Sequence, residues 1–369
     1  MEKRKRKVVI LSAFYEPFMS GAEQMVKEIA ERLGKKYDIT LIAARLDRRL
    51  PKQERRENFN LVRLGVGHKK IDKPFYPLLA ALKLRSLKPE IAHAIMESYA
   101  GGALVLTKYI YPHAKRILTL QSGDLDDPLK QSKFFIKFFW RCIHLAPHII
   151  TAISNFLGAR AARLGANKEK IFIIPNGVDL SQIPASKEKV ANRVICVARL
   201  SWEKGLDYLI KAWPEVLKEV SEAKLVLVGE GNKRQEIEAM IRDLNIADFV
   251  VLKGNLPHNE TLKEIKKSEV FICPSLAEGL GIVFIEAQAC GVPPIGTRVG
   301  GIPDIIQDGE NGFLIEPKNS RAIAEAIIKL LKDKNLAGKL SANALQTVKK
   351  YDWKNIINKI DGIYEKIIS

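Results

Sequence analysis

Residues 270–291 read VFICPSLAEGLGIVFIEAQACG, and this stretch decides the fold class. The apolar run 270–272 predicts a buried strand, the glycine-rich segment after it predicts a loop, and residues 282–290 predict a helix. A strand that passes through such a loop into a helix is the building unit of parallel α/β sheets. Because the first N–H groups of a helix attract anions, the loop is a candidate phosphate site.

The same alternation of strand and helix continues on both sides of this stretch. It predicts two doubly wound parallel sheets with right-handed crossovers. The predicted strands are 8–12, 39–43, 61–66, 91–95, 117–120, 149–152 and 171–174, and then 194–197, 225–228, 250–252, 270–272 and 292–295. The main predicted helices are 22–33, 206–220, 234–244, 260–268, 282–290, 321–332 and 353–368.

A boundary between two domains is predicted where Pro175, Gly177 and Pro184 interrupt the alternation. We place the first domain at residues 1–178 and the second at 179–351, and a chain of 369 residues is long enough for both. In open α/β sheets, ligands lie beyond the carboxyl ends of the strands. We therefore expect a phosphate-bearing ligand in a cleft between the two domains.

Composition excludes several classes of protein. No run reaches the ~18–20 apolar residues that cross a membrane, and the apolar run after the basic start is too short for a signal peptide, so we expect a cytoplasmic protein. The 4 cysteines stand far apart without a CxxC pair, which argues against a zinc site. No GxGxxG follows the first strand, which disfavours a dinucleotide-dependent dehydrogenase.

The net charge of +18 is concentrated in one half of the chain. Residues 1–180 contain 33 Lys and Arg against 17 Asp and Glu, and the remainder contains 27 against 25. A cationic half predicts an anionic membrane surface or acceptor, or else a solvated lysine-rich surface. Within it, the basic aromatic segment 130–145 is either an interfacial helix or a core helix. Nucleic acid is disfavoured because these aromatic residues lie on a helix.

Two carboxylates flank the glycine-rich loop. Glu278 lies in the loop, and Glu286 follows eight residues later in the predicted helix. Carboxylates accept hydrogen bonds from sugar and ribose hydroxyls, and Gly279 and Gly281 let the backbone approach a ligand closely. The stretch therefore suits a nucleotide-sugar, the alternative being an ordinary helix that begins near an acid.

Basic side chains follow the strand 194–197 at the same predicted edge of the second sheet. The guanidinium of Arg199 and the ammonium of Lys204 are suited to phosphate oxygens. In the first domain, Gly21 lies between the first strand and the first helix. It either places a backbone amide against a phosphate or has a purely structural role.

Together these segments resemble the retaining glycosyltransferases of family 4, which have the GT-B fold. The resemblance covers nearly the whole chain. It rests on Ser20–Glu23 (SGAE), Ile174–Asp179 (IPNGVD), Arg199 with Lys204 and Gly205, Val228–Gly231 (VGEG), Glu278 with Glu286, and Gly300–Asp304 (GGIPD).

The resemblance implies a set of donor-binding roles. Arg199 and Lys204 would hold the donor diphosphate, with Gly21 approaching it from the first domain. Glu278 would contact the sugar hydroxyls and Glu286 the ribose. The last helix, residues 352–369, would pack back on the first domain. The other donor-binding residues expected are Gly281, Ile282 and Val283 at the sugar and phosphate, and Leu256 near the base.

The acceptor side departs from the family pattern. The family often has a His-x-His element after the fourth strand, but here only His93 is present and Ile95 takes the second place. His93 is therefore either a catalytic group or a buried strand residue. Glu97 and Asp124 are the nearest alternatives.

The sequence also bears on the mechanism. The donor site has no Asp-x-Asp segment, and Asp124, Asp126 and Asp127 lie in the first domain, so we expect no metal and no other cofactor. The family retains anomeric configuration. Because no carboxylate is an evident covalent nucleophile, we expect same-face attack within an ion pair.

These features predict a hexosyltransferase of cell envelope polysaccharide biosynthesis, peripheral on the inner face of the membrane. It would move a sugar from a nucleotide-sugar to a lipid-linked, polysaccharide or other anionic acceptor. Two alternatives stay open. One is a GT-B enzyme without acceptor transfer, either a sugar-nucleotide epimerase or a phosphorylase, and the other is an inert sugar-nucleotide binding module. The base, the sugar and the acceptor are left open.

Overall fold

Strands and helices alternate along two units of the chain. A computed structural model describes residues 4–121, 134–185 and 188–369. The first unit runs to Gly177 and includes Trp353–Ser369, and the second is Val178–Asp352. The boundaries predicted from the sequence lie one residue away from this division.

The first unit contains most of the basic residues of the chain. Its strands are β1 (Lys7–Leu11), β2 (Asp38–Ala44), β3 (Gln53–Arg55), β4 (Phe59–Leu64), β5 (Ile91–Ile95), β6 (Lys115–Leu120), β7 (Ile149–Ala152) and β8 (Ile171–Ile173). Its helices are α1 (Gly21–Leu33), α2 (Lys69–Leu87), α3 (Tyr99–Ile110), α4 (Phe134–Leu145), α5 (Asn155–Arg163) and, at the end of the chain, α13 (Trp353–Ile368).

The strands of the first unit form one sheet in the order β3-β4-β2-β1-β5-β6-β7-β8 within the described residues. Ile10 of β1 lies between Leu41 of β2 and His93 of β5, so these residues occupy the middle of the sheet. The pairing is parallel except between β3 and β4. The predicted parallel sheet thus carries one short antiparallel edge strand, the polar β3, which the sequence did not predict.

The second unit contains the stretch from which the fold was predicted. Its strands are β9 (Arg193–Val197), β10 (Lys224–Val228), β11 (Val250–Leu252), β12 (Val270–Cys273), β13 (Pro294–Thr297) and β14 (Phe313–Ile315). Its helices are α6 (Leu206–Glu219), α7 (Arg234–Asp243), α8 (His258–Lys266), α9 (Ile282–Ala289), α10 (Ile302–Ile305), α11 (Ser320–Lys332) and α12 (Lys334–Thr347).

The second sheet has the order β11-β10-β9-β12-β13-β14 in the described part of the chain, with parallel neighbours throughout. Its central strands β9 and β12 are almost wholly buried, as expected where helices cover both faces. Ile323, Ile327 and Leu330 of α11 form one such buried helix face. With both faces covered, loops at the strand ends are the parts of the sheet that remain open to a ligand.

No helix within the described ranges combines the length and the apolar character that crossing a bilayer requires.

Candidate active site

Two loops at the carboxyl edge of the second sheet are bound to each other. The N–H of Leu276, after β12, donates to the carbonyl of Glu203, after β9, at 2.7 Å. Gly205 has a φ of +61°, and a Cβ there would lie 2.3 Å from the carbonyl oxygen of Pro274. Glycine is therefore required for this close approach. The contact brings the two predicted donor-binding segments together.

The side chains of Lys204 and Glu278 form an ion pair at this junction. Lys204 Nζ donates to Glu278 Oε2 at 2.6 Å, and the two side chains are 19% and 16% exposed. Burial lowers the pKa of Lys204 but the Glu278 carboxylate raises it, and the net shift is upward. Lys204 is therefore a cation at neutral pH. These two predicted donor-binding groups thus bind each other.

The backbone around Glu278 is fixed by a second close approach. Gly300 has a φ of +54°, and a Cβ there would lie 1.7 Å from the carbonyl oxygen of Glu278. The same oxygen accepts a hydrogen bond from the N–H of Gly301 at 3.2 Å. Gly281, with a φ of +90°, is the N-cap of α9. The first amides of α9 have no partner within the helix and carry the positive end of its dipole.

A pocket of about 590 Å³ opens beside these loops. Three of the predicted donor-binding residues line it, namely Arg199, Leu256 and Val283. The side chain of Arg199 is 67% exposed, and its Nη1 lies 3.8 Å from Glu203 Oε1. Other lining residues are Val197, Ala198, Val228, Gly229, Glu230, Gly231, Asn255 and Thr261. The VGEG segment thus forms one wall, a position that its sequence did not specify.

Glu286 lies in the second turn of α9 and is 13% exposed. Its Oε1 is 2.8 Å from Nε2 of His258, the first residue of α8. This hydrogen bond raises the pKa of His258 against the effect of burial. His258 was not predicted as a site residue, because a lone histidine after a proline belongs to no motif.

In the first unit, Gly21 is the first residue of α1, the helix that follows β1 in the chain. The preceding Ser20 donates its N–H to Glu23 Oε2 at 2.9 Å, which forms a capping box. The carbonyl of Gly21 accepts a hydrogen bond from Asn176 Nδ2 at 3.3 Å, and Asn176 also bonds to Gln121. The IPNGVD segment therefore supports the start of α1. A role for Gly21 toward the donor stays a prediction.

His93 lies in the core of the first unit. It is 1% exposed, with Nδ1 2.8 Å from the hydroxyl of Tyr364 and Nε2 2.7 Å from that of Thr119. Burial lowers the pKa of His93 to about 3, so the ring is neutral. Both ring nitrogens have partners within the unit. This arrangement favours the buried strand residue over the catalytic group among the two interpretations left open by the sequence.

The burial of His93 predicts an acid-sensitive fold. In the unfolded chain this ring takes up a proton below about pH 6.5, whereas in the folded chain it does so only near pH 3. The free energy of unfolding should therefore decrease as the pH is lowered below 6.5. Between pH 6.5 and ~5 the loss should be about 2 kcal/mol. Urea unfolding at pH ~7.5 and ~5 measures it. His93→Gln, which has no titrating ring, should lack this component, and an unchanged pH dependence in the variant would contradict the prediction.

Glu97 and Asp124 are the alternatives to His93 as the acceptor-side group. Glu97 is fully buried, hydrogen-bonds to the guanidinium of Arg160 and accepts from the N–H of Gln121 at 3.3 Å. It is therefore part of a buried ion pair. Asp124 lies outside the described residues, as do the neighbouring acids of the string 124–127. The described residues contain no group of three or more His, Cys, Asp or Glu side chains that could hold a metal ion.

Comparison with known sequences decides the family. Residues 19–182 match the family described as Glycosyltransferase Family 4, and residues 181–347 match Glycosyl transferases group 1. The chain belongs to the family 4 glycosyltransferases. It is thus an enzyme that transfers a sugar from a nucleotide-sugar donor, and the family predicted from its motifs is confirmed.

Two relatives illustrate the range of this family. An uncharacterized glycosyltransferase of Methanocaldococcus jannaschii is 27% identical over 97% of this chain and 98% of its own length. A GDP-mannose-dependent alpha-(1-6)-phosphatidylinositol monomannoside mannosyltransferase of Mycolicibacterium smegmatis is 32% identical, over 50% of this chain and 53% of its own length. The second match thus spans about half of each protein.

Solved structures share the fold over the whole chain. Sucrose-phosphate synthase from Thermosynechococcus elongatus has a TM-score of 0.84 at 20% identity, covering 98% of this chain and 99% of that one. Anabaena HepE in complex with UDP-glucose has a TM-score of 0.77 at 18% identity, covering 98% and 99%. These likenesses confirm the predicted GT-B fold of this family 4 glycosyltransferase.

Proposed function

We propose that this glycosyltransferase moves a hexose from a nucleotide-sugar to a lipid-linked, polysaccharide or other anionic acceptor, retaining anomeric configuration and using no metal ion. The observation that carries the proposal is the convergence of Lys204, Glu278 and the start of α9 beside a pocket lined by Arg199. Cationic groups, a helix N-terminus and a carboxylate together match a diphosphate joined to a sugar.

The donor fits this site in one orientation. The pocket of about 590 Å³ lies within the ~300–1,000 Å³ that small-molecule sites occupy, and it receives the nucleoside. Glu286 accepts hydrogen bonds from the ribose hydroxyls. The diphosphate lies against Arg199, Lys204 and the amides of Ile282 and Val283. Glu278 then meets the sugar hydroxyls.

Departure of the nucleoside diphosphate is the step that these groups assist. The bond from the anomeric carbon to the phosphate oxygen breaks, and the electron pair leaves with the diphosphate. Arg199, Lys204 and the dipole of α9 stabilise the charge that develops there. Three sources of positive charge then take the place that a divalent ion fills in other transferases.

Same-face attack, as opposed to double displacement through a covalent intermediate, is supported by the hydrogen bonding of the donor-site carboxylates. Glu278 is bound to Lys204 and Glu286 to His258, so each already has a hydrogen-bond partner. Neither is an unengaged nucleophile for a covalent intermediate. The acceptor oxygen therefore bonds to the anomeric carbon on the face from which the diphosphate leaves, and its proton passes to the leaving group.

An acceptor at the inner face of the membrane is supported by charge and by relatives. The excess of basic residues lies in residues 1–180. The mannosyltransferase of Mycolicibacterium smegmatis is named for a phosphatidylinositol monomannoside acceptor, which is an anionic lipid. An anionic or lipid-linked glycan fits both observations.

The proposed use of cationic side chains predicts that activity survives a chelator. Sugar transfer in excess EDTA should equal that in buffer, because no step is assigned to a metal ion. Added Mg²⁺ or Mn²⁺ should not raise the rate. Complete loss of transfer in EDTA, restored by either ion, would contradict the metal-independent proposal.

A donor screen followed by product analysis tests the proposed function. UDP-, GDP- and ADP-sugars are compared by thermal shift, since a ligand at 100 times its Kd stabilises the folded state by ~2.7 kcal/mol. The best donor is then incubated with acceptor lipids, and nucleotide release and glycolipid are measured together. Glycolipid formed with equal nucleotide release supports transfer. An altered sugar without nucleotide release identifies an epimerase, and binding without turnover identifies an inert module.

A further inference from the structure

Helix α2 carries a line of exposed apolar side chains. Ile71, Phe75, Leu78 and Leu82 are 47%, 57%, 44% and 48% exposed. Their spacing of four, three and four residues places them on one face of the helix. The opposite face is anchored by Tyr76, which is buried and donates its hydroxyl to a carbonyl of β2 at 2.8 Å. We call the four exposed residues the α2 stripe.

An apolar pocket of about 430 Å³ opens between α2, α3 and α4. Its walls include Pro74 and Pro77, which alternate with the α2 stripe along the helix, and Val105 and Leu106 of α3. Phe139 of α4 closes the other side and is itself 48% exposed. The α2 stripe and this pocket therefore form one apolar surface across three helices.

Helix α4 has one buried side and one exposed side. Ile143 is fully buried, whereas Phe138 is 62% exposed and adds an aromatic ring to the surface. The helix thus buries Ile143 against α3 and presents aromatic residues on its other side. Lys130 and Lys133, which were predicted to belong to this segment, lie outside the described residues.

Nearly all charged residues of the same three helices are basic. Their sequences contain eight Lys or Arg residues and one acid, Asp72. Asp72 is 2% exposed and accepts hydrogen bonds from the N–H groups of Val66, Gly67 and His68 at 2.7–2.8 Å. Its charge is therefore compensated by the backbone of the turn that leads into α2. Within these described helices, the charge that faces solvent is positive.

Charge and apolarity together select the occupant of this surface. A second copy would bring its own basic helices against the first, and like charges in contact oppose pairing. A nucleic acid would neutralise Lys69 and Lys70 but leave the α2 stripe without apolar contact. An anionic bilayer satisfies both, since lipid phosphates meet the bases and the acyl region receives the apolar side chains.

We propose that the face formed by α2, α3 and α4 docks the protein on an anionic lipid bilayer, with the α2 stripe entering the acyl region. The docking surface rests on the proposed function in one respect, namely that docking brings the enzyme to a lipid-linked acceptor. The docking itself is measured without donor or acceptor, so its failure and a failure of sugar transfer are distinguishable.

Vesicle flotation tests the docking surface. The full chain is mixed with vesicles of phosphatidylcholine alone or of phosphatidylcholine with phosphatidylglycerol, at low and high salt. Binding should require phosphatidylglycerol and weaken as salt shortens the Debye length from the ~8 Å of physiological ionic strength. Equal binding to neutral vesicles, or none to anionic vesicles at low salt, would overturn the proposal.

Two double variants separate the apolar and the electrostatic parts. Phe75→Ser with Leu78→Ser should weaken partitioning by about tenfold for each side chain that enters the acyl region. Lys69→Gln with Lys70→Gln should weaken it about fivefold for each lysine. Unchanged vesicle binding by both double variants would assign the binding to another face.

Matched controls come from exposed residues of the second unit. Val251→Ser with Leu345→Ser, whose parent side chains are 45% and 41% exposed, should bind vesicles as the parent does. Lys211→Gln with Lys339→Gln is the control for charge. Melting temperature and nucleotide binding report whether each variant is folded.

One contradicting outcome is a dimer that does not bind vesicles and dissociates on Phe75→Ser. It would identify a second copy as the occupant and overturn the proposal. Normal docking without sugar transfer would contradict the proposed function and leave the docking surface supported.

Discussion

Replacing Lys204 by alanine is expected to lower turnover by about 10²–10³-fold, the loss that follows removal of one electrostatic partner of a developing charge. Lys204 Nζ lies 2.6 Å from Glu278, and both side chains are mostly buried. Without the ammonium, the Glu278 carboxylate has no cation and faces the departing diphosphate with the same sign of charge. The rate of nucleotide release at saturating donor measures the effect. Arg199→Ala should act in the same direction through the diphosphate.

Two further variants make this expectation specific. Lys339→Ala removes an exposed lysine of the same unit and should leave turnover unchanged. Lys204→Ala combined with Glu278→Gln removes both charges. The double variant therefore contains no unpaired buried carboxylate that would destabilise the folded state. If the folded Lys204→Ala protein is fully active, the diphosphate lies elsewhere.

Glu286→Ala is expected to weaken donor binding by about 10- to 150-fold. Hydrogen bonds to a charged group contribute about 1.5–3 kcal/mol, which corresponds to that range of affinity. Glu286 is 13% exposed at the edge of α9, so water replaces it poorly as a partner for ribose. Titration calorimetry with the nucleoside diphosphate measures the change.

A ligand without ribose hydroxyls provides the control for Glu286. The 2′,3′-dideoxy nucleoside diphosphate should bind the parent and Glu286→Ala with equal affinity. His258→Ala removes the existing partner of Glu286 while leaving the carboxylate, and so separates loss of the carboxylate from loss of its hydrogen bond to His258. Unchanged affinity of Glu286→Ala for the ribonucleotide would remove the ribose assignment.

The strands and helices that the sequence predicted are those with apolar periodicity. Ile91–Ile95 and Ile149–Ala152 are strands with the predicted bounds, because continuous apolar runs occupy both faces of a covered parallel sheet. The missed elements lack such a signal. Strand β3 reads QER at an exposed edge, and α12 buries only Leu340 and Ala344. Tertiary packing, not local pattern, forms them.

The placement of several candidate donor-binding residues at one sheet edge was predictable from the sequence, whereas the pairing between them was not. Loops that follow strands carry local signals such as glycine and basic residues, and these placed Arg199, Lys204 and Glu278 at one sheet edge. Pairing depends on separation in space: Lys204 and Glu278 are 74 residues apart in sequence. The outward direction of the α2 stripe likewise depends on which face of α2 packs on the sheet, since a core helix has the same periodicity.

The ion pair between Lys204 and Glu278 has a consequence for product release. In the proposed donor complex, the nucleotide-sugar separates the two groups and gives each a new partner, phosphate for Lys204 and sugar hydroxyls for Glu278. After transfer the sugar has left, and the spent nucleotide compensates only Lys204. In this proposal the ion pair competes with the bound diphosphate for Lys204, which should favour release of the nucleotide. The chain should accordingly discriminate between charged donor and spent nucleotide, which limits inhibition by its own product.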